Sequence, residues 1–247
     1  MKILYLDCTN GVSGDMVLTA LSELGDCGAE VAAKMESEDF SCHHSHDADH
    51  GHDHNNAGSG CVNDHDHDHA HGHIHTHGRS YSKVKELIET SSFSPSAKST
   101  ALKIYANIAR AEASVHGATL DTVHFHEVGR DEAIKNALGI GMALEAIDPD
   151  KVSVSTIYDG KGTVTCSHGE IPVPVPAVMA LREQCSYSFE TADVNTEMVT
   201  PSGLAAVMGI GAQPGELMGR IIKQTEAFGK RATGRGGLKA YVTEADR

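Results

Sequence analysis

The residues with the clearest chemistry are histidines concentrated in one stretch. Thirteen of the 17 histidines fall within residues 43–77, mostly alternating with aspartate and glycine, and no lysine or arginine interrupts them. Neutral imidazole is the commonest protein ligand for divalent transition metals. A flexible tract can wrap several ions without imposing one geometry. We therefore interpret it as a metal-capture or delivery segment; the alternative is a solvated linker with incidental histidines. The candidate ligands are His43, His44, His46, His50, His52, His54, His65, His67, His69, His71, His73, His75 and His77.

Two shorter motifs combine histidine with glutamate. In VHFHEVG, at 123–129, His124 and His126 share one face of an extended segment, and Glu127 precedes a predicted helix. Two imidazoles and a carboxylate could hold a metal or exchange protons, and a pair of surface histidines is the alternative. His168 lies just before a proline-rich segment whose rigid backbone could hold it in place. A purely structural turn is the alternative for His168.

A glycine-rich turn joins the first predicted strand to the first predicted helix. Asp7 ends the strand, and Gly11, Ser13, Gly14 and Asp15 lead into the helix. Free N–H groups at a helix N-terminus attract anions, so a phosphate could bind there with Asp7 or Asp15 holding a metal beside it. The turn lacks both GxGxxG and the lysine of a P-loop. A tight turn with a good N-cap explains it equally well.

A basic glycine-rich turn, GKRATGRGG, lies near the end of the chain. Its cations, Lys230, Arg231 and Arg235, could meet a phosphate or a carboxylate. A solvated hairpin tip is the alternative.

Composition excludes several classes of function. The net charge of −14 argues against nucleic acid or an anionic membrane as the main partner, and so against a metal-responsive nucleic-acid regulator. The opening MKILYLDC is too short and too polar for a signal peptide, and no apolar run approaches the length of a membrane span. The six cysteines are widely spread without CxxC, which favours reduced thiols in the cytoplasm.

Apolar spacing predicts the elements of the first half. Residues 2–6 form a buried strand and 14–25 an amphipathic helix with Ser13 as its N-cap. A short helix carries Val84, Leu87 and Ile88, and helices follow over 95–116 and 131–147. Ile104, Ile108, Ala111 and Val115 mark the buried face of the long helix, and Gly117 is its C-cap. Gly139 and Gly141 inside the last helix require a close neighbour.

The second half is richer in strands. Residues 152–157 and 163–166 read as strands around a DGKG turn, and helices follow near 177–184 and after Thr200. Two further strands, RIIKQT and LKAYVTE, flank the basic turn.

The whole predicts a mixed α/β (α+β) fold, a single compact domain with a His-rich insertion that is disordered until it binds metal. We divide it into a first strand–helix unit over 1–35, the insertion over 36–80, and the remainder of the core over 81–247.

Several motifs occur together and in one order. The segments LYLDCTNGVSGDMVLTALSELG, VHFHEVG, GKGTVTCSHGEIPVPVPA and MVTPSGLAA, with the His-rich insertion, make the sequence resemble the nickel insertion proteins (LarC family) of lactate racemase cofactor maturation. The resemblance covers the whole chain apart from the variable tract.

The resemblance implies a nickel cyclometallase of the lyase class. Such a protein inserts Ni(II) into pyridinium-3,5-bisthiocarboxylic acid mononucleotide, with Ni–S and Ni–C bonds formed, and consumes CTP with Mn(II) or Mg(II). It implies His124, His126, Glu127 and His168 as catalytic candidates. A nickel store or metallochaperone without catalysis is the alternative.

The resemblance also implies partners. We expect the protein to form a homo-oligomer. We also expect a separate chain to carry the C-terminal domain that longer family members contain. The resemblance is imperfect at one helix, where RDEAIKNALG replaces a family pattern close to AVDSIVDIVG. Glu132 and Asn136 therefore stand where the family tends to have aspartate, which leaves one carboxylate fewer.

Overall fold

The computed structural model of the protein describes residues 1–40, 78–125, 127–166 and 169–246. Helices in this part of the chain are α1 (Gly14–Leu24), α2 (Gly28–Ser37), α3 (Tyr81–Thr90), α4 (Pro95–His116), α5 (Asp131–Ile147), α6 (Pro176–Arg182) and α7 (Pro201–Gly209). Strands are β1 (Lys2–Asp7), β2 (Arg79–Ser80), β3 (His124–Phe125), β4 (Lys151–Val154), β5 (Ile157–Asp159), β6 (Thr163–Cys166), β7 (Gly169–Pro172), β8 (Phe189–Thr191), β9 (Gln213–Pro214), β10 (Arg220–Ala227) and β11 (Leu238–Glu244).

A five-stranded mixed sheet runs in the order β10-β11-β1-β4-β9. The first strand is central: it pairs antiparallel with β11, with Tyr5 opposite Tyr241, and parallel with β4, with Leu6 opposite Val154. Three two-stranded sheets, β2-β3, β5-β8 and β6-β7, complete the strands of the described residues. The fold is therefore mixed α/β, as the sequence predicts.

Helices α1, α4, α5 and α7 pack together beside the sheet because each has an apolar face of helical period. Two glycines on α5 allow the closest approaches. A Cβ on Gly141 would lie 2.5 Å from the carbonyl oxygen of Ala97 on α4, and one on Gly139 would lie 2.8 Å from Leu18. The expectation of close neighbours at both glycines is confirmed.

The local end signals of the helices are also confirmed. Ser13 accepts a hydrogen bond from the Met16 amide at the start of α1, and Gly117 ends α4 in the left-handed conformation with φ of 62°. The strands flanking the basic turn are β10 and β11, an antiparallel hairpin.

Three expectations are corrected. Residues 152–157 are two strands, because β4 belongs to the five-stranded sheet whereas β5 turns away to pair with β8. The strand at 163–166 is β6, which pairs with β7. The DGKG turn therefore joins two strands, β5 and β6, that do not pair with each other. Val115 is 38% exposed, since the cavity described below opens beside the last turns of α4.

One helix is not signalled by the sequence pattern. α2 was not predicted because its apolar face is short: only Val31 of this helix is buried. The His-rich tract and its proposed disorder lie outside the described residues, as do His126 and His168. None of the described helices has the length and apolar character needed to cross a bilayer.

Candidate functional site

A cavity of about 520 Å³ opens where several helices end. The first turns of α1, α5, α6 and α7 and the last turns of α4 line it, so backbone N–H groups from several helices lie around one space. Its apolar wall consists of aliphatic side chains that include Ile104, Ile108, Ile140, Val164 and Ile171. A space of this size with an apolar wall and a few polar groups is typical of a small-molecule site.

The starts of α1 and α7 are joined through the turn before α1. The Val12 amide donates to Met198 O over 2.9 Å, and the Thr200 amide donates to Val12 O over 3.0 Å. Gly11, at φ of 89°, lies so close to this segment that a Cβ would be 2.3 Å from Met198 O. A side chain at Gly11 would therefore separate the two helix starts.

A buried aspartate holds the segment that leads into α7. Asp159 is 1% exposed, and its Oδ1 accepts from the amides of Gly160, Met198 and Val199 at 2.8–3.1 Å. Its Oδ2 accepts from Arg182 at 3.0 Å. Glu197 directly precedes Met198 and Val199 in the chain. By holding their amides, Asp159 also fixes the position of the Glu197 carboxylate in the cavity wall.

The basic turn between β10 and β11 lies across the cavity entrance. Lys230 Nζ is 3.0 Å from an Asp15 carboxylate oxygen and 3.5 Å from one of Glu132, and Arg231 pairs with the 7% exposed Glu197. The hydrogen bond and charge of Asp15, with a smaller effect of Glu132, raise the pKa of Lys230. The entrance thus carries three carboxylates and two cations.

A second space of about 530 Å³ lies on the other side of these ion pairs. Asp15, Glu197, Lys230 and Arg231 line both spaces, so the ion pairs form a shared wall. Arg235 closes the far side, donating to Asn10 and Thr9 at 3.3–3.4 Å.

Candidate residues from the sequence are only partly brought together. Gly14, Asp15, Glu127 and Arg231 line the first cavity, and Ser13, Asp15, Arg231 and Arg235 line the second. The carboxylate of Asp7 accepts from the amide and hydroxyl of Thr9, and His124 lies exposed on β3. Gly11 acts through the backbone contact described above.

The described residues contain no group of three or more histidine, cysteine, aspartate and glutamate side chains arranged to hold a metal. Asp15 and Asn136 are joined instead by a 2.8 Å hydrogen bond. His126, His168 and the thirteen tract histidines lie outside the described residues. Asp7 and Asp15 therefore have protein partners, and nickel ligation by either carboxylate would require those partners to move.

Sequence reasoning missed four residues around the cavity: Asp159, Glu197, Glu112 and His116. The first two carry no local signal, because their partners lie 23 to 40 positions away. Glu112 and His116 could have been found, since they continue the four-residue spacing of Ile104 and Ile108 along α4.

Fold and site together define a mixed α/β protein with a small-molecule-sized cavity whose entrance carries charged side chains. The family model described as nickel insertion protein matches residues 4–244, and the chain belongs to this family.

Relatives named pyridinium-3,5-bisthiocarboxylic acid mononucleotide nickel insertion protein are similar to it. The protein of Acetivibrio thermocellus is 36% identical over 239 residues, which are 95% of this chain and 58% of the relative. The protein of Lactiplantibacillus plantarum is 36% identical over 251 residues, which cover 95% of this chain and 59% of the relative. The protein of Akkermansia muciniphila is 33% identical over 238 residues, which cover 94% of this chain and 57% of the relative. The chain thus spans under two thirds of the length of these relatives. No solved structure matches it significantly.

Proposed function

We propose that this chain takes part in nickel insertion into pyridinium-3,5-bisthiocarboxylic acid mononucleotide, forming Ni–S and Ni–C bonds. The observation that carries the proposal is the cavity of about 520 Å³ in a chain of this family, with an aliphatic wall and a charged entrance. A pyridinium ring suits the aliphatic wall, and a phosphate suits the cations. The chain spans about 58% of its relative from A. thermocellus, so the whole reaction named for that relative is a proposal for this chain.

The substrate phosphate is assigned to the entrance of the cavity. Arg231 and Lys230 supply the positive charge, since guanidinium and ammonium groups bind phosphate strongly. The starts of α1 and α7 add N–H groups beside them. Their present partners, Asp15, Glu132 and Glu197, would have to yield these cations to the phosphate. Arg235, together with Gly11, Ser13 and Gly14, stays a candidate for phosphate contact from the second space.

Nickel, as the metal substrate, is assigned to histidines and carboxylates. The thirteen tract histidines would gather Ni(II). His124, His126, Glu127 and His168 remain candidates for nickel ligands or for the base that accepts the proton lost from carbon, and Asp7 and Asp15 for a metal or phosphate contact. In support, Glu127 and Asp15 line the cavity.

Further features are proposed from the family resemblance. These are consumption of CTP with Mn(II) or Mg(II), a lyase-type reaction that forms metal bonds, a second chain carrying the remaining domain, assembly into a homo-oligomer, and a cytoplasmic location. No contact in the described residues bears on them.

One assay tests the proposal. Purified protein is mixed with Ni(II), the thiolated pyridinium mononucleotide and CTP, with and without the C-terminal part of a longer relative, and the nickel–carbon product is followed by mass spectrometry. Product formation supports the proposal. Absence of product under every combination would refute it.

Nickel storage or delivery without catalysis is the second candidate. The thirteen histidines within residues 43–77 favour it, because that density suits capture of several ions. Storage needs the tract but not the cavity. Substitutions in the tract and in the cavity therefore distinguish the two functions.

A further inference from the structure

A buried carboxylate in the cavity wall is held by a cation that the function proposed above gives to the substrate. Glu197 is 7% exposed and pairs with Arg231, whose side chain is 48% exposed. When Arg231 binds the substrate phosphate, Glu197 loses this positive charge. A buried charge that loses its partner is strongly destabilising. The substrate therefore binds well only if it brings a second positive charge to Glu197.

The carboxylate cannot follow its partner, because the backbone of Glu197 is fixed on both sides. The two amides that follow it in the chain donate to the buried Asp159 at 3.0 and 3.1 Å. Before it, the carbonyl oxygen of Thr196 packs so closely on Gly160 that a Cβ there would lie 1.8 Å from it. Arg231, in contrast, lies on the exposed turn between β10 and β11. Phosphate binding should therefore move the arginine and leave the carboxylate in place.

The lining of the cavity has more carboxylates than cations. Among the described residues that line it, five carry a carboxylate, whereas three are lysine or arginine. Lys230 already has two carboxylates beside it, because its Nζ lies 3.0 Å from Asp15 and 3.5 Å from Glu132. A cationic group of a ligand would therefore meet an excess of negative charge. The five acidic residues are Asp15, Glu112, Glu127, Glu132 and Glu197, and the three basic ones are Arg130, Lys230 and Arg231.

The proposed substrate carries two charges that match this ion pair. Its ring is a pyridinium, which is permanently positive because the ring nitrogen is bonded to the ribose. That single ribose separates the positive nitrogen from the negative phosphate, and Arg231 and Glu197 likewise place opposite charges side by side. The guanidinium of Arg231 is itself a flat, delocalised cation. A flat pyridinium ring can therefore replace it against the carboxylate.

We propose that Glu197 recognises the positive charge of the pyridinium ring, an assignment that rests on the proposed function. The substrate exchanges one ion pair for two: Arg231 donates hydrogen bonds to the phosphate, and the ring cation pairs with Glu197. No covalent bond changes. A mononucleotide with a neutral ring takes Arg231 away and gives Glu197 no cation in return. The cavity thus selects mononucleotides whose ring is an oxidised, cationic pyridinium over those whose ring is reduced.

The test measures equilibrium binding without nickel or CTP, so that no reaction occurs. One ligand is the dicarboxylate analogue of the substrate, in which oxygen replaces both sulfurs. The other is its dihydro form, which has the same phosphate but a neutral ring. For the unsubstituted chain, calorimetric titration should give a Kd at least about tenfold lower for the pyridinium form, as expected for a charge pair with a buried member. This comparison needs no variant.

Glu197→Gln separates charge recognition from a structural role. The substitution removes the charge but nearly keeps the shape, so the two ligands should bind with a Kd ratio of about one. Ribose 5-phosphate should bind more tightly to the variant than to the unsubstituted chain, because Arg231 is no longer held by a carboxylate. A merely structural role would weaken the binding of every ligand.

The matched control is Glu89→Gln, at an exposed glutamate on α3 outside the cavity. This variant should keep the full preference for the pyridinium form. Circular dichroism melting verifies that both variants fold.

Two results overturn the assignment. One is a lack of preference in the unsubstituted chain, whether both forms bind equally or neither binds. The other is a folded Glu197→Gln variant that keeps the preference. Failure of the proposed function is a separate outcome: if the pyridinium form is preferred but no nickel–carbon product forms in any combination, catalysis is refuted and charge recognition stands. If product forms without any preference, only the role of Glu197 is refuted.

Discussion

Asn136 donates a hydrogen bond from Nδ2 to Oδ1 of Asp15 over 2.8 Å, and so joins α5 to the first turn of α1 at the cavity wall. Lys230 occupies the other oxygen of the same carboxylate. Both oxygens of Asp15 therefore have protein partners. A carboxylate in place of Asn136 would face Asp15 and create a site for a cation.

Replacing Asn136 by aspartate should make stability depend on a divalent cation. Asn136→Asp removes a donor and places a second negative charge beside Asp15, so we expect the free energy of unfolding without metal to fall by about 1–2 kcal/mol. Magnesium should restore it by binding between the two carboxylates. The measurement is thermal melting with and without MgCl2. Asn136→Ala, which loses the hydrogen bond but gains no charge, should not respond, and an equal response of both variants would contradict the prediction.

Asp159 is expected to be the most sensitive polar position near the cavity. Asp159→Asn keeps one oxygen for the three amides but turns an NH2 donor toward Arg182, which loses its buried carboxylate partner, so the free energy of unfolding should fall by about 3–5 kcal/mol. Urea unfolding measures this. Asp193→Asn, at an exposed ion pair with Lys161, is the matched control and should have no measurable effect. Equal stability of the two variants would be inconsistent with a positioning role for Asp159.

The contact between α4 and α5 predicts a severe effect of one methyl group. In Gly141→Ala, the new Cβ meets Ala97 O at 2.5 Å and Ala97 Cα at 2.7 Å, so the helices must separate, at a cost of about 1–3 kcal/mol. Gly28→Ala, whose Cβ has its nearest neighbour at 4.0 Å, should be neutral or stabilising. Thermal melting of both variants compares them, and a melting temperature of Gly141→Ala at or above that of the unsubstituted chain would disprove the prediction.

Stability should fall at high pH because two buried groups stay neutral in the fold. Burial raises the pKa of Tyr105 far above its ordinary value of 10.0, and burial followed by the charge of Asp7 raises that of Cys8 above 9.0. Above these ordinary values the unfolded chain loses protons that the folded chain retains. The free energy of unfolding therefore falls as pH rises, by about 1.4 kcal/mol per pH unit for each group.

Tyr105→Phe isolates the contribution of the phenol. The variant loses the hydrogen bond to Val128 O at every pH, but between pH 10 and 11.5 its slope should be shallower by about 1.4 kcal/mol per pH unit. Urea unfolding at several pH values measures the slope. Identical slopes for the variant and the unsubstituted chain would show that Tyr105 ionises in the folded state.

Two variants distinguish insertion from storage. Deletion of 43–77 should raise the nickel concentration needed for product formation, and excess Ni(II) should restore the rate. Activity lost by His126→Ala should not return with excess nickel. The opposite pattern, a deletion that excess nickel does not rescue and a neutral His126→Ala, would favour a storage protein. Product formation at graded Ni(II) concentrations measures both.

Local sequence signals predicted what local chemistry determines. Ser13, Pro95 and Gly117 marked helix ends because capping depends on the backbone within a few residues, and the spacing of apolar residues gave α1, α4 and α5. The same signals predict one strand over 152–157, whereas the division of this segment between two sheets depends on pairing with the distant β8.

The candidate site was predictable residue by residue but not as an arrangement. Asp15, Arg231 and Arg235 stood out by type, whereas nothing near Arg231 in sequence indicates Glu197 as its partner. Pairing across more than thirty residues depends on the tertiary fold. Prediction of the cavity itself would have required the relative placement of several helix ends.

The short strand β2 has a consequence for how nickel would reach the cavity. Its first residue, Arg79, pairs with Asp131 and donates to Gly129 O over 3.0 Å, while Ser80 lies opposite His124. In the sequence, His77 stands two positions before Arg79, so the tract is joined to the fold through this strand. A tether this short corresponds to a local concentration in the millimolar range. Transfer of nickel from the end of the tract to this region would then be unimolecular, and its rate would not change on dilution.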